Sequence, residues 1–389
     1  MVRQAIGARA LSWCAASAAL LLVPAAEPAS AQGSFDPGFL PARAHYARDA
    51  ACRPLRIRMP PGTHALPGSN RISPKPSEIP AGQGESAICF AYATADMISQ
   101  RVGRVVSPLD VATKFYFADP DRLPEIRNPA LRAHLRAHPR HRADIAWSRN
   151  ATDIAREGNA HLHPFFDKLE GGEEAAAALL YNLGGLCEER DLPSHEGYAH
   201  FLRYFAALRF SSAVRAPRIS YASLLGTVHK LRSRRADAFN AAWLRHVEAR
   251  CRRQSLPVPL LPVSYRVAAN QHEFMEMLEA GRPPGSRDVT RMLAIVDYAL
   301  AHRRAPTIGY SWYILQDRDP SDPDLAADHS STVIARRRSG GTCQYLVQDN
   351  TGEYCTRMRA GIRERCHHGR IWLTEDELKR TLYSVIYLR

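Results

Sequence analysis

The chain has no evident internal repeat, no nucleic-acid recognition motif and, after residue 31, no apolar run long enough to cross a bilayer. A stacked-repeat protein, a sequence-specific nucleic-acid reader and a membrane-spanning protein are thereby set aside. Negative charge is also scarce: 39 Asp and Glu stand against 52 Lys and Arg, a formal net charge of +13 in 389 residues. Arginine clusters at Arg232-Ser233-Arg234-Arg235 and Arg336-Arg337-Arg338 suit nucleic acid, acidic cell-wall polymer or anionic lipid. Without an accompanying motif they read as a solvated basic surface.

What is present begins with a secretory signal over residues 1–31. Arg3 and Arg9 precede the apolar run Ala15 to Val23, and Ala29-Ser30-Ala31 offers a small-residue cleavage site before Gln32. The run is short and ends at Pro24, so it reads as a removable leader rather than a retained anchor. The expected location is secreted or periplasmic. Cys14 leaves with the leader, and the seven remaining cysteines are an odd number. In an oxidising compartment that predicts one unbridged, reactive thiol beside six others, for which fifteen pairings are possible.

One cysteine has the setting of a nucleophile. From Cys89 onward, Phe90, Ala93, Met97 and Ile98 recur at spacings of three and four, and no Gly or Pro intervenes before Gly103. Upstream, Pro80, Gly82, Gly84 and Ser86 are loop formers. Cys89 is therefore expected at a helix N-terminus, where partial positive charge favours a thiolate. Gln83, six positions earlier, adds a side-chain amide which, with the Cys89 backbone N–H, makes two donors for a developing oxyanion.

The run Gln83, Cys89, Phe90, Ala91, Tyr92, Ala93 resembles the active-site segment of papain-like cysteine proteases. Their pattern is Gln, five residues, Cys, an aromatic, Ala, an aromatic and a small residue. Ser86 stands where a disulfide cysteine usually precedes the nucleophile, and Phe90 replaces the usual Trp. The resemblance continues through Ser107-Pro108-Leu109, a helix cap with proline at the first helical position. It continues again in Gly171-Gly172, a helix, then Asn182-Leu183-Gly184-Gly185-Leu186 with Glu189 and Pro193 following. The resemblance gives Gly171 and Gly172 a role against substrate backbone, which a residue without Cβ permits. Helix-boundary glycines are the competing reading.

Residues 32–74 read as an extended N-terminal segment, and 75–389 as the peptidase domain with a helical insertion at about 195–285. Ser286 is expected to cap a helix over Val289 to Ala301. Strands are expected at Ala305 to Tyr310, Asp328 to Ala335 and Tyr345 to Gln348. The family carries its histidine at a strand start and its asparagine at the end of the next strand, in Asn-Ser-Trp-Gly. His329 and Asn350 are matched to those positions, although Thr351-Gly352 lacks the tryptophan. Pairing of 345–348 with 370–373 puts Cys355 and Cys366 in one connecting loop and predicts a bridge between them.

The resemblance implies an α+β, papain-like two-lobed fold, with a helical N-terminal lobe and a β-rich C-terminal lobe. It implies a thiol endopeptidase with Cys89 as nucleophile, His329 as acid/base, Asn350 as orienter and Gln83 at the oxyanion. No cofactor and no metal are expected; the partner is a peptide or protein substrate, with no nucleic acid, no membrane anchor and a monomeric chain. Three alternatives remain: another Cys-His thiol enzyme of the cell-wall amidase, transpeptidase or transglutaminase type, a non-catalytic binding protein on a protease scaffold, and a basic disulfide-built polymer binder.

Overall fold

A computed structural model of the chain describes residues 46–63, 89–117, 177–178, 181–182, 184–194, 244–267, 277, 284–311, 315, 328–349, 355, 358–367 and 369–389. Over these residues the protein is α+β, helices packed on antiparallel sheet. The leader, Gln83, Gly171, Gly172, Asn350 and most of 195–285 lie outside the described residues.

Helix α1 spans Cys89–Val102, and every residue from Phe90 to Ser99 is buried. It stops at Gly103, whose φ of 74° supplies the left-handed turn that closes a helix, with its N–H bonded to Ser99 O at 2.9 Å. Helix α2, Pro108–Phe117, starts as the sequence predicts: the Asp110 N–H donates to Ser107 Oγ at 3.3 Å, with Pro108 as the first helical residue. Helix α3, Ser286–Ala301, departs from expectation at its start. Its cap position is Gly285 and carries no side-chain bond, so Ser286 is already inside the helix. Two shorter helices follow, α4 at Ala360–Arg363 and α5 at Glu375–Thr381. The latter is opened by a reciprocal pair, Thr374 Oγ1 accepting from the Glu377 N–H and the Glu377 carboxylate from the Thr374 N–H.

Among the described residues eight strands form one sheet: β1 Leu55–Arg56, β2 Pro262–Arg266, β3 Thr307–Ser311, β4 Asp328–Ser339, β5 Thr342–Gln348, β6 Cys366–His367, β7 Arg370–Thr374 and β8 Leu382–Leu388. Their order is β2-β8-β3-β4-β5-β7-β6, with β1 pairing the half of β4 that β3 leaves uncovered. β4 and β5 are joined by Gly340-Gly341, both at positive φ (56° and 77°), as a two-residue hairpin turn requires. β5 pairs β7 from Gln344↔Thr374 to Gln348↔Arg370, the antiparallel register expected from sequence. Within the span read as a helical insertion, residues 244–250 are helical, but β2 is an edge strand of this sheet paired to β8.

The main core lies between α3 and one sheet face. Val289, Met292, Val296, Ala299 and Leu300 recur at helical spacing and meet Ile308, Tyr310, Val333, Tyr345, Val347, Ile371 and Val385. The alternate residues of the same strands meet α1: Thr332 Oγ1 donates to Ala93 O at 3.4 Å, and Gln348 Nε2 donates to Asp96 Oδ2 at 2.8 Å. On its other side α1 packs on α2, Phe90 against Phe115 with ring centres 5.1 Å apart. α1 is thus held on both flanks, which fixes where its first residue, Cys89, stands.

Three disulfides tie distant parts together: Cys52–Cys343, Cys187–Cys251 and the expected local Cys355–Cys366. The first joins residues 291 positions apart and clamps the N-terminal segment to β5. A buried charge network reinforces it. Arg336 bonds Asp297 on α3 at 2.5 Å and Asp49 at 2.6 Å, while Arg48 reaches Asp297 at 3.0 Å and Glu375 at 2.5 Å. No described helix is long and apolar enough to cross a membrane.

Candidate active site

Cys89 is the first residue of α1, half-buried, and the one described cysteine outside a disulfide. At that position the helix dipole concentrates positive potential. His329 comes from the start of β4 and Asp349 from the residue after β5. The β4–β5 register ends at Thr332↔Gln348; extended by one step it sets Asp349 opposite Ser331, and His329 lies two residues away on the same face. Diagonal neighbours of that kind reach each other, and His329 Nε2 lies 2.8 Å from Asp349 Oδ1. The backbone holds Asp349 in place through its N–H, which donates to Gly369 O at 2.7 Å.

With Nε2 occupied by the carboxylate, Nδ1 is the ring nitrogen left for Cys89, to which the His329 side chain is hydrogen-bonded. His329 is 4 % and Asp349 1 % exposed, so the pair sits almost out of water. Burial alone would lower the pKa of the imidazole. The Asp349 charge and hydrogen bond, helped by Cys89, overcome that and push it up to about 10. His329 is therefore held as imidazolium at neutral pH, poised between a thiol sulfur and a carboxylate. Tyr310 of β3 stands directly across from His329 in the register, its ring edge-to-face with the imidazole at 5.4 Å and 83°.

Of the residues predicted from sequence, the structure brings Cys89 and His329 together. Gln83, Gly171, Gly172 and Asn350 are outside the described residues. The ring nitrogen that Asn350 was expected to hold is bonded to Asp349. A signal for Asp349 was present in the motif itself. In Asn-Ser-Trp-Gly the orienting residue stands three positions before glycine, and three before Gly352 is Asp349, not Asn350. Counting from the glycine points one position earlier than matching by residue type, which gives Asn350. In a strand, one residue is the difference between opposite faces.

One other group of potential ligand atoms occurs among the described residues, Asp110 with Cys187 and Cys251. The two sulfurs are bonded to each other, and Asp110 is paired with Lys114 at 3.2 Å and Arg253 at 2.7 Å. Those donors are committed to structure: Lys114 also donates to Gly185 O and lies 3.6 Å over the Tyr181 ring. Neither a protein-family model nor a curated protein sequence matches the chain.

Proposed function

We propose that the protein is an exported cysteine endopeptidase of papain-like type, with Cys89 as nucleophile, His329 as acid/base and Asp349 as the residue that orients it. The observation that carries this reading is the hydrogen-bonded line Cys89–His329–Asp349 at the start of a buried helix. The three disulfides support an oxidising compartment. In the papain-like arrangement α1 and α2 belong to a helical lobe and the sheet to a β-rich one, with the thiol and imidazole facing each other across the cleft.

The thiolate attacks a peptide carbonyl carbon, forming the Sγ–C bond as the carbonyl electron pair moves to oxygen. The Cys89 N–H holds that oxyanion, joined in this reading by the Gln83 amide. Collapse of the intermediate breaks the C–N bond, and His329 Nδ1 gives its proton to the leaving amine. The neutral imidazole then takes a proton from water as the hydroxyl oxygen attacks the thioester, and the thiolate leaves with the imidazolium restored. Asp349 contributes throughout by holding the Nε2–H and favouring the charged ring, without itself taking the proton.

A carboxylate where the resemblance places an amide favours one second reading, a thiol acyltransferase that takes the acyl group of a glutamine side-chain amide, releasing ammonia, and passes it to an amine instead of water. Incubating the full chain with a denatured protein substrate, with and without a primary amine, separates the two. Endopeptidase function predicts new N-termini in both samples. Amine-acylated products without new N-termini would replace it by the transferase, and neither product would remove both.

A further inference from the structure

We propose that Tyr310 is a positioning residue for His329, its ring walling one side of the imidazole so that Nδ1 stays aimed at Cys89 and Nε2 at Asp349 while water is kept from the pair. The proposal rests on the peptidase reading above and concerns how that site is held. Tyr310 is fully buried and, by the β3–β4 register, is the cross-strand neighbour of His329. Its ring meets the imidazole edge-to-face, the geometry aromatic pairs favour. A ring so placed blocks rotation of the imidazole about its last side-chain bond, the freedom that would carry Nδ1 away from sulfur.

The local sequence is arranged to deliver that ring. Gly309 precedes it, and a Cβ there would lie 2.2 Å from Ser384 Oγ and 2.7 Å from the Tyr383 ring. The β3–β8 register shifts between Gly309 and Tyr310, a bulge of the kind that re-aims one side chain. The far end of the ring is then tied down: Tyr310 Oη and Ser331 Oγ are 3.0 Å apart, and Ser331 lies on the face shared by His329 and Asp349. The phenol is kept neutral, its pKa raised by burial and then by the Asp349 charge, so it stays a hydrogen-bonding group rather than a second anion. Asp349 from the end of β5, Cys89 from α1 and Tyr310 from β3 thus all meet His329.

The test uses histidine-selective NMR on the full chain, with the His329 signal assigned by its loss in His329→Gln, alongside kcat and KM for a peptide substrate. Tyr310→Phe keeps the wall and loses only the tie to Ser331, so its His329 titration and kcat should lie far closer to wild type than those of the leucine variant. Tyr310→Leu removes it and should shift the His329 titration, since water then reaches both the ring and its Asp349 partner, with kcat falling about tenfold at unchanged KM. Tyr310→Met is the fallback of similar length if the leucine chain does not fold. A folded leucine or methionine variant with wild-type titration and kcat would overturn the proposal, because Tyr310 would then be core alone. A phenylalanine variant as impaired as the leucine one would also overturn it, by moving the role to the hydroxyl. Wild-type His329 titrating near the ordinary ~6.5 would instead remove the charged pair itself, and with it the site this proposal serves.

Discussion

Replacing Asp349 by Asn keeps the shape beside His329 and removes only the charge. Opposite charges centred about 4 Å apart attract by about 4 kcal/mol at an effective dielectric near 20. At about 1.36 kcal/mol per pKa unit that is about 3 units. His329 is pushed up to about 10 by this partner against the opposing effect of burial, so Asp349→Asn should return it to about 7. In the proposed mechanism the active form carries the His329 imidazolium, so the alkaline limb of the pH–rate profile should move from near pH 10 to near neutrality. Turnover at the old optimum should fall about 10²–10⁴-fold as the ring loses both charge and aim. Stability should follow the same sign. A histidine whose pKa is raised on folding stabilises fully below its unfolded value of ~6.5, and that contribution is lost as pH rises through about 10. The gap in unfolding free energy between wild type and variant should accordingly be widest at neutral pH and shrink on the alkaline side. The assay is kcat/KM against pH for a fluorogenic peptide, with urea unfolding at neutral and alkaline pH. A folded Asp349→Asn chain with an unmoved alkaline limb would refute the ion pair as the source of the imidazolium.

Three further outcomes follow from the described residues. Asn350→Ala should leave the alkaline limb where it is, because the His329 Nε2 partner is Asp349; a fall of a unit or more, read in the same pH profile, would restore Asn350 as an orienter. Asp297→Asn removes one of the two carboxylates that hold the Arg336 guanidinium, 1 % exposed, and leaves it Asp49 alone; it should cost about 1–3 kcal/mol in urea unfolding, and a loss under about 0.5 kcal/mol would show the network to be dispensable. Gly185→Ala forces a φ of +75° on a residue with a Cβ and drives that carbon to 2.7 Å from Gln254 O. A loss of at least about 1–2 kcal/mol is expected from the backbone conformation alone, and an unchanged midpoint of thermal unfolding would contradict it.

The parts of the fold legible in sequence were those fixed by local signals. The helix starting at Cys89 announced itself by a run of loop formers followed by three-and-four spacing, and α2 by Ser107 and Pro108. β3, β4, β5 and the Cys355–Cys366 bridge followed from apolar runs bounded by turns. What escaped depended on distant partners. β1 is two residues long and exists because β4 has an open edge there, and Cys52–Cys343 closes across 291 residues. β2 lies in a proline-broken stretch and becomes a strand because β8 offers it an edge. Ser286 is a good capping residue by type, yet the cap position falls one residue earlier, at Gly285, and the helix starts at Ser286 itself. Asp349, whose carboxylate meets His329, was not singled out, since the sequence does not reveal which strand face a residue occupies without a fixed register.

The most direct test of the account is active-site titration of the full chain, produced in an oxidising compartment, with an epoxysuccinyl thiol inhibitor. The account predicts that peptide hydrolysis falls in proportion to a single adduct, that peptide mapping places the adduct on Cys89, and that Cys89→Ala is inactive and unlabelled with unchanged far-UV circular dichroism. Hydrolysis that persists when Cys89 is fully modified, or in Cys89→Ala, would contradict it.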